Sequence, residues 1–407
     1  MRILFVTNLY PPYVVGGNEL LCAEVVEALR ERGHAVEVLC GRGRLLPRAG
    51  VRGELEIDLD RKDETFLGGR LPSAVEAFRM HAWSSASHAA TRAALRDCAP
   101  DLVVVWNLYM ASLAPLAAAR RSGRPTVVHV CDKWLHFGLF DLEPLLRPVV
   151  PWKKAGLALW RRTLQPLLRH WAWPPRLIAI SDFMRRFYVA AGFPPADVDV
   201  AHLGVRTDQF TEAPRPDRPA GQPLRLLFAG SLWAGKGPQT AVRALGRLKR
   251  AGVAARLDVC GSGVPHFVDF LRDVIREEQV EDQVTLHGAV PRDQVRRLCQ
   301  ELDVLVFPSE WDEPFAAVPV EAMSTGMAVV ATTAGGTPEA IVDGQTGLLV
   351  PPRDPEAMAT AVRRLADDDA LRGRLGGAAA RAARERFDFA GYVDRLEGAY
   401  ERCARGR

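Results

Sequence analysis

The sequence predicts an α/β protein built from two doubly wound domains. Short apolar runs of strand length alternate with segments of helical periodicity along most of the chain. This alternation occurs in two sets, which a proline-rich stretch at residues 211–223 separates. The 407 residues of the chain also exceed what one hydrophobic core usually supports. Strands that alternate with helices in this way form parallel sheets with helices on both faces.

The first set of elements predicts an N-terminal domain over residues 1–210. Its strand-like runs are residues 3–7, 35–40, 102–106, 125–130 and 177–180. Between the first two runs, the segment from Glu19 to Arg32 has helical periodicity and is followed by Gly33, a residue type common just past a helix end. We therefore expect helices to connect the strands, so that neighbouring strands run parallel.

The second set predicts a C-terminal domain over residues 224–385. Its strand-like runs are residues 224–228, 256–259, 284–286, 304–307, 328–331 and 347–350. The stretch before it, 211–223, holds too many prolines to continue a helix or a central strand, so it is predicted to be a linker. Residues 386–407 are predicted to be helical, and this segment could pack on either domain. We expect the two domains to face each other across a cleft, with ligands at the carboxyl ends of the strands.

Composition excludes several classes of protein. The formal charge of +4 is small for this length and gives no support to nucleic-acid binding. Seven cysteines occur without any C-x-x-C pair, which argues against a zinc site or a disulfide framework and favours a reducing cytoplasm. The N-terminal apolar run is too short for a signal peptide, and no stretch contains eighteen uncharged apolar residues. We therefore expect a cytoplasmic enzyme without a membrane span.

The most informative stretch lies between residues 308 and 352 and contains two carboxylates, Glu313 and Glu321, eight positions apart. A predicted strand precedes it. Pro314 suits the start of the next helix, where a missing N–H costs nothing, and Gly326 suits its end. The backbone N–H groups of residues 315–317 would then be unpaired donors for phosphate or sugar oxygens, and the two carboxylates would bind hydroxyl groups. The alternative is a solvated carboxylate pair on a surface helix.

Three motifs stand out together. They are the glutamate pair with its flanking PSEWDEPF and EAMSTGMAVVATTAGG, the run Gly230-Ser231-Leu232 followed by Lys236-Gly237, and the run Gly16-Gly17-Asn18-Glu19. In these motifs the chain resembles the retaining GT-B glycosyltransferases of the family-4 type over nearly its whole length. The resemblance implies two Rossmann-like domains, a nucleotide-sugar donor held mainly by the second, an acceptor held mainly by the first, and no required metal or other cofactor.

The resemblance also implies individual roles. Glu313 matches the glutamate that hydrogen-bonds the donor sugar, Glu321 matches the one that binds the ribose hydroxyls, and Lys236 matches a lysine that neutralises the diphosphate. Asp132 matches the aspartate of an acceptor-side HDxW pattern, and with Glu313 and Lys236 it completes the predicted catalytic set. The other donor-binding positions are Gly16, Gly17, Gly230, Ser231, Val290, Phe315, Ala316 and Ala317. A surface lysine at position 236 and an ordinary flexible turn at positions 16 and 17 are the alternatives.

Three departures from the family pattern bear on activity. Ser231 replaces an arginine, and loss of such a charge-stabilising donor costs about 2.7–4 kcal/mol in other enzymes. Ala316 replaces a glycine, which is tolerated unless the backbone needs a positive φ or a close approach. Cys131 stands where the HDxW pattern has histidine, although Asp132 remains in register and His129 lies two positions upstream. A histidine role on the acceptor side is therefore in doubt.

Residues 147–186 interleave tryptophans with basic residues. The tryptophans are Trp152, Trp160, Trp171 and Trp173, the basic residues beside them include Lys153, Lys154, Arg161, Arg162 and Arg169, and Asp182 is the only acid. Such a stretch suits the surface of an anionic membrane, which would bring the protein to the inner membrane face for a lipid-linked acceptor. The alternative is a helical subdomain whose tryptophans pack and whose arginines are solvated.

The sequence therefore predicts a metal-independent, retaining glycosyltransferase that acts in cell-envelope polysaccharide, glycolipid or natural-product glycosylation. No nucleophile is visible in the donor motif, which favours a same-face substitution in which the leaving diphosphate helps to deprotonate the incoming hydroxyl. A sugar-nucleotide epimerase on the same fold and a low-activity nucleotide-sugar-binding protein remain open. A nicotinamide dehydrogenase is disfavoured, because the first strand does not lead to a G-x-G-x-x-G turn.

Overall fold

A computed structural model describes residues 1–44, 49–58, 79–140, 162–163, 165–212 and 221–406. The chain divides into two compact units. Unit 1 contains Met1–Ile180, Met184–Ala201 and Val393–Arg407, and unit 2 contains Ser181–Phe183 and His202–Tyr392. Most of the predicted linker, residues 213–220, lies outside the described residues.

Unit 1 contains a seven-stranded parallel sheet with the strand order β3-β2-β1-β4-β5-β6-β7. The strands are β1 (Arg2–Thr7), β2 (Ala35–Arg42), β3 (Val51–Asp58), β4 (Leu102–Asn107), β5 (Thr126–Val130), β6 (Leu177–Ala179) and β7 (Val198–Val200). The named helices are α1 (Gly17–Glu31), α2 (Ser85–Cys98), α3 (Ala114–Arg121), α4 (Trp134–Leu139) and α5 (Asp182–Ala190), whose first two residues belong to unit 2. Strands β4 and β5 are buried along their whole length, as expected of central strands covered on both faces.

Unit 2 contains a six-stranded parallel sheet with the strand order β10-β9-β8-β11-β12-β13. The strands are β8 (Leu224–Ala229), β9 (Ala255–Cys260), β10 (Val284–Gly288), β11 (Val304–Phe307), β12 (Ala328–Thr332) and β13 (Leu348–Val350). The helices are α6 (Pro238–Arg250), α7 (Pro265–Glu277), α8 (Arg292–Glu301), α9 (Ala317–Ser324), α10 (Thr337–Ala340), α11 (Pro355–Asp367), α12 (Asp369–Phe387) and α13 (Phe389–Ala404), whose last twelve residues belong to unit 1. One hydrophobic core packs the sheet against α6, α7 and α11.

The predicted fold class is confirmed, because both sheets are parallel and doubly wound. Every predicted strand-like run coincides with a strand to within two residues at each end. Two strands were not predicted, β3 and β7, and both are edge strands. The first, VRGELEID, carries charged residues along its length, and the second, VDV, has an aspartate at its centre, so neither gives the apolar run that marks a central strand.

The prediction that helix α9 begins at Pro314 is wrong. The helix begins at Ala317, because the Ala317 N–H turns back to the Phe315 carbonyl at 3.2 Å before the helical pattern starts. The predicted end is confirmed within two residues. The helix ends at Ser324, and Gly326 has a φ of 76°, the left-handed conformation typical just past a helix end.

Candidate functional site

The strand order of unit 2 reverses between β8 and β11, which pair side by side in the sheet. From β8 the chain continues to strands on one side, and from β11 it continues to strands on the other. In doubly wound sheets the loops that follow two such strands border a crevice at the carboxyl edge, which is the usual ligand position. These loops are residues 230–237 and 308–316, and they contain Lys236 and Glu313.

Glycine residues allow the two loops to approach closely. Gly237 has a φ of 72°, and a Cβ atom there would lie 2.0 Å from the Pro308 carbonyl oxygen, so a side chain has neither a favourable backbone conformation nor space. The Gly235 carbonyl accepts hydrogen bonds from the backbone N–H groups of Glu310 at 2.7 Å and Trp311 at 3.2 Å. The backbone of loop 230–237 is thus tied to that of loop 308–316.

The Lys236 ammonium is held by the Glu313 carboxylate. Its Nζ atom lies 2.8 Å from Oε1 and 3.0 Å from Oε2 of Glu313. The hydroxyl of Ser309, which is fully buried, donates a further hydrogen bond to Glu313 Oε1 at 2.5 Å. Glu313 is only 2% exposed, so a carboxylate there needs its charged partner and these hydrogen bonds to offset the hydration it has lost. The crevice therefore holds a negative and a positive group in fixed positions.

The backbone of Glu313 is also fixed from the loop that follows β12. The Gly336 N–H donates to the Glu313 carbonyl at 2.7 Å. Gly335 has a φ of 58°, and a Cβ atom there would lie 2.2 Å from the same carbonyl oxygen. The Thr332 hydroxyl donates to the Ser309 carbonyl at 2.6 Å. Loops after three neighbouring strands, β8, β11 and β12, thus converge on Glu313.

The second carboxylate, Glu321, lies inside α9 and pairs with Arg292 at the start of α8. Arg292 Nη2 lies 2.7 Å from Glu321 Oε1, and the Glu321 side chain is 13% exposed. The two glutamates therefore have different cationic partners and are both largely buried. The alternative of a solvated carboxylate pair on a surface helix does not describe this site.

The three predicted N–H donors at the start of α9 differ in their bonding. The Ala317 N–H is bonded to the Phe315 carbonyl, so the expectation that it is unpaired is wrong. The N–H groups of Phe315 and Ala316 have no acceptor in the part of the chain that the structure describes. Ala316 has a φ of −91° and is fully buried, so the backbone does not need a glycine at this departure from the family pattern.

The other predicted donor-binding positions of unit 2 lie on loops at the same edge of the sheet. Gly230 and exposed Ser231 follow β8, and half-buried Val290 follows β10. Among the described residues, no hydrogen bond or ion pair joins Ser231 or Val290 to the Lys236–Glu313 pair. His287 lies in β10, and its Nε2 atom is 2.6 Å from Asp258 Oδ1 on the neighbouring strand.

Sequence reasoning missed three residues that build the site, Ser309, Glu310 and Arg292. Glu310 Oε1 accepts hydrogen bonds from Gln239 Nε2 at 2.8 Å and Thr240 Oγ1 at 2.6 Å, which ties loop 308–316 to the start of α6. The position of Ser309 and Glu310 directly after a switch-point strand was a usable signal. Arg292 gives no local signal, because it meets Glu321 only through the packing of two helices.

A further ionic cluster in unit 2 lies around Glu339 in α10. Its carboxylate accepts the backbone N–H groups of Asp182 at 2.7 Å and Phe183 at 2.5 Å, and His202 Nε2 lies 3.1 Å away. Burial acts to raise the pKa of Glu339, but the hydrogen bonds from His202 and the two N–H groups outweigh it, so the pKa is lowered. The side-chain atoms of Asp182, His202 and Glu339 that could coordinate a metal ion all lie within 4.8 Å of one another.

In unit 1, the predicted Gly16 and Gly17 pair lies at the start of α1. The Glu19 carboxylate accepts the N–H of Gly16 at 2.7 Å and the N–H of Val15 at 3.2 Å. Gly16 has an extended backbone with a φ of −155°, and a Cβ atom at either glycine would meet no heavy atom within 4 Å. Neither packing nor backbone conformation therefore requires glycine here, and the predicted approach of a ligand stays a prediction.

Asp132 follows β5 and is held at the start of α4. Its Oδ1 atom accepts the Trp134 N–H at 2.7 Å, and its carbonyl accepts the Tyr188 hydroxyl at 2.9 Å. Removal of the carboxyl group from water raises the pKa of Asp132 to about 6, and the negative charge of Glu19 adds to the rise. The hydrogen bond from the Trp134 N–H acts in the opposite direction and lowers the pKa. The carboxyl group of Asp132 therefore ionises at a higher pH than an ordinary aspartate does.

His129 does not reach the surface of unit 1. It is fully buried, its ring stacks on Trp106 with centroids 4.0 Å apart, and its Nδ1 atom lies 3.1 Å from Cys131 Sγ. Burial lowers the pKa of His129 to about 3, so the ring is neutral at physiological pH. His129 therefore cannot supply the acceptor-side histidine that the family pattern has at position 131.

The predicted membrane segment is only partly described. Residues 141–161, with Trp152 and Trp160, lie outside the described residues. Trp171 packs on Trp83 with centroids 5.8 Å apart, and Trp173 stacks on Phe193 at 4.3 Å. These two tryptophans therefore have packing partners within unit 1. No helix among the described residues combines the length and the apolar character that a membrane crossing requires.

Two doubly wound units, with a buried carboxylate paired to a half-buried ammonium group at the switch point of the second, fit the GT-B architecture. Residues 209–382 match the family model described as glycosyl transferases group 1, and residues 15–209 match the model described as glycosyltransferase family 4. The chain is 30% identical over 407 residues to a glycogen synthase of Mycobacterium tuberculosis. This match covers 95% of the present chain and 90% of the glycogen synthase. The chain therefore belongs to the group 1 glycosyltransferases.

Other relatives match over part or all of the chain. A D-inositol 3-phosphate glycosyltransferase of Arthrobacter is 39% identical over 193 residues, which are 45% of each chain. An Anabaena protein solved with UDP, HepE, superposes with a TM-score of 0.70 at 19% identity and covers 98% of this chain and 99% of its own. The sucrose-phosphate synthase of Thermosynechococcus elongatus superposes with a TM-score of 0.72 at 18% identity. The match covers 100% of this chain and 99% of the synthase. At these identities the solved structures establish the shared GT-B fold, and the predicted fold is confirmed.

Proposed function

We propose that the chain transfers a glycosyl unit from a nucleoside-diphosphate sugar to an acceptor hydroxyl with retention of the anomeric configuration. The observation that carries this proposal is the Lys236–Glu313 pair in the switch-point crevice of unit 2. A carboxylate accepts hydrogen bonds from sugar hydroxyls and an ammonium group neutralises phosphate, so the pair suits a molecule that carries both groups side by side. The Anabaena relative was solved with UDP, which supports uridine diphosphate as the leaving group.

In this proposal Glu313 orients the donor sugar and Lys236 neutralises the diphosphate. Negative charge accumulates on the diphosphate as the glycosidic bond breaks, so the contact with Lys236 is stronger in the transition state than in the bound donor. The Glu313 carboxylate already holds the ammonium group at 2.8 Å and 3.0 Å. Little reorganisation is therefore needed when the reaction begins.

Glu321 is proposed to bind the ribose hydroxyls, with Arg292 holding its carboxylate in place. The N–H groups of Phe315 and Ala316 are proposed to bind sugar or phosphate oxygens. In unit 1, Gly16 and Gly17 are proposed to let the start of α1 approach the diphosphate, and Asp132 to contact the acceptor. We propose that no divalent metal is required, because Lys236 and helix-terminal N–H groups carry the balancing charge.

The substitution is proposed to occur on one face of the sugar. The bond from the anomeric carbon to the diphosphate oxygen breaks while the bond to the acceptor oxygen forms on the same face, and the acceptor proton passes to the departing diphosphate. A covalent route would need a nucleophile poised at the anomeric carbon. In the donor loops as described, Glu313 is engaged by Lys236 and Ser309, so it is better suited to binding hydroxyl groups than to nucleophilic attack.

Calorimetry with UDP and three variants tests the donor assignments. Glu321→Ala should weaken UDP binding about tenfold or more, because it removes the ribose contact. Glu313→Ala should weaken UDP binding less than Glu321→Ala does, because UDP lacks the donor sugar that Glu313 is proposed to bind, while transfer falls steeply. Glu356→Ala, whose side chain is 76% exposed, is the matched control for removal of a glutamate. If folded Glu321→Ala bound UDP as tightly as the parent, the ribose assignment would be wrong.

Product analysis with labelled nucleotide sugars tests the reaction class. We expect label to move to an acceptor with the donor's anomeric configuration, and the activity to survive EDTA. Turnover of the donor alone to an epimeric nucleotide sugar would overturn the proposal in favour of an epimerase. Loss of activity in EDTA, restored by magnesium or manganese, would overturn its electrostatic part.

A further inference from the structure

A pair of tryptophans lies beside the Lys236–Glu313 pair in unit 2. The rings of Trp233 and Trp311 meet edge to face, with centroids 5.6 Å apart and an interplanar angle of 63°. The Lys236 ammonium lies over the Trp311 ring, 5.3 Å from its centroid. Contacts therefore run from Glu313 through Lys236 and Trp311 to Trp233, a residue without a role in the proposed donor site.

Trp233 is 42% exposed and yet held in place. Its ring lies over Gly235, where a Cβ atom would come within 2.2 Å of the ring. The backbone is fixed on both sides, because the Leu232 N–H donates to Ser262 at 2.8 Å and the Trp233 carbonyl accepts the Lys236 N–H at 3.0 Å. A fixed ring loses little conformational freedom when a ligand stacks on it.

A fixed and exposed indole ring suits the apolar face of one pyranose ring. The C–H groups on one face of a pyranose are weakly positive and apolar, and they match the negative face of an indole ring. Four large apolar residues are exposed in the described part of unit 2, namely Trp233, Val264, Phe270 and Val342. Of these, Val264 follows Gly263, the bridge partner of Leu232, and so lies next to Trp233 in register. An acyl chain or a protein partner would use a wider apolar patch.

We propose that Trp233 forms a stacking subsite for a pyranose ring of the acceptor, so that the acceptor is a saccharide. This inference rests on the proposed function, in which the donor sugar is bound by Glu313. The Trp311 ring lies between Lys236 and Trp233, so the donor sugar at Glu313 and a ring on Trp233 occupy different places. The ring on Trp233 therefore belongs to the other substrate.

Fluorine NMR of protein labelled with 5-fluorotryptophan tests the subsite directly. The Trp233 resonance is assigned by its absence in Trp233→Phe. UDP alone should leave this resonance nearly unmoved, and at least one of three neutral tetrasaccharides, maltotetraose, cellotetraose or mannotetraose, should shift it in a saturable way. If none of the three shifts it, or if a UDP-sugar alone produces the full shift, the acceptor subsite is overturned.

Kinetics with the tetrasaccharide that binds separate stacking from a structural role. Trp233→Ala should raise the KM for the saccharide about tenfold, and Trp233→Phe should raise it less, because a smaller ring still stacks. Gly235→Ala should resemble Trp233→Ala, because its methyl group displaces the ring while the indole remains. Phe270→Ala, at a position 41% exposed in the same unit, is the matched control and should leave the KM unchanged.

UDP calorimetry on the same variants separates this inference from the proposed function. Trp233→Ala should bind UDP as the parent does. If the parent binds no UDP, the proposed function fails on its own terms, whatever the saccharide result. If UDP affinity falls in Trp233→Ala together with saccharide affinity, the residue shapes the donor loop and the stacking subsite is refuted.

Discussion

The close approach of the two loops that carry Lys236 and Glu313 can be tested by adding one methyl group at Gly237. An L-residue in the left-handed conformation costs about 1–2 kcal/mol. Gly237 has a φ of 72°, and its added Cβ atom would in addition lie 2.0 Å from the Pro308 carbonyl oxygen, an overlap that only a backbone shift relieves. Gly252 provides the control, because its φ is 73° and nothing lies within 4 Å of its added Cβ atom.

The two substitutions should therefore differ in a defined way. For a domain of this size, 1 kcal/mol corresponds to about 2–4 °C in Tm, so Gly252→Ala should lower the Tm of unit 2 by about 2–8 °C. Gly237→Ala should lower it further and move Lys236 away from Glu313. Loss of one charged hydrogen bond to the diphosphate, worth about 1.5–3 kcal/mol, should weaken UDP binding about ten- to a hundredfold.

Differential scanning calorimetry measures the first effect and titration calorimetry with UDP measures the second. Gly252→Ala should bind UDP as the parent does, because its methyl group points into open space. The reasoning is refuted if Gly237→Ala, still folded, binds UDP as tightly as the parent. It is also refuted if the two alanine variants lose the same amount of Tm, since the contact with Pro308 would then cost nothing.

Three further predictions follow from residues outside that loop contact. In scanning calorimetry, Gly16→Ala should leave the Tm unchanged within about 1 °C, because the added Cβ atom meets no other heavy atom. In a rate assay, the same variant should lower turnover if the diphosphate approaches the backbone there. With the pKa of Asp132 at about 6, kcat/KM should rise with pH through about 6 if its carboxylate is required, and Asp132→Asn should flatten that limb of the profile. Glu339→Gln should destabilise unit 2 by about 1–3 kcal/mol at pH 7, where the carboxylate is fully ionised. Because the pKa of Glu339 is lowered on folding, this difference should persist at pH 5 and shrink as the pH falls below the ordinary value of 4.5, as melting curves at pH 7, 5 and 3.5 would measure.

The fold and the position of the site were predictable because both depend on local pattern. Buried parallel strands give continuous apolar runs, so β8 and β11 were visible in the sequence, and their loops had to contain Lys236 and Glu313. Edge strand β7, in which Asp199 separates two valines, gave no such run. The start of α9 was misplaced, because a proline that suits a first helical turn suits the tight turn before a helix equally well.

The two ion pairs of the site could not be predicted, because each joins elements distant in sequence. Ser309 and Lys236 both bond Glu313, but the contact with Lys236 joins residues 77 positions apart. Arg292 meets Glu321 across 29 positions. The sequence left the role of His129 open. The structure answers the question through packing, because β5 is buried along its whole length and the His129 ring stacks on Trp106.

The bonding of Glu313 bears on the loss of a cation at Ser231. A carboxylate offers about four acceptor sites, and Lys236 with Ser309 leaves capacity for sugar hydroxyls, so Glu313 can bind a sugar without releasing Lys236. In the proposed function, sugar and diphosphate approach one pre-positioned pair together, which ties discrimination of the sugar to neutralisation of the leaving group. On the same proposal, serine at position 231 makes the balance of charge on the diphosphate depend more heavily on the Lys236 ammonium group. Displacing Lys236 should therefore affect a nucleotide sugar more than it affects UDP, since only the sugar donor uses both members of the pair.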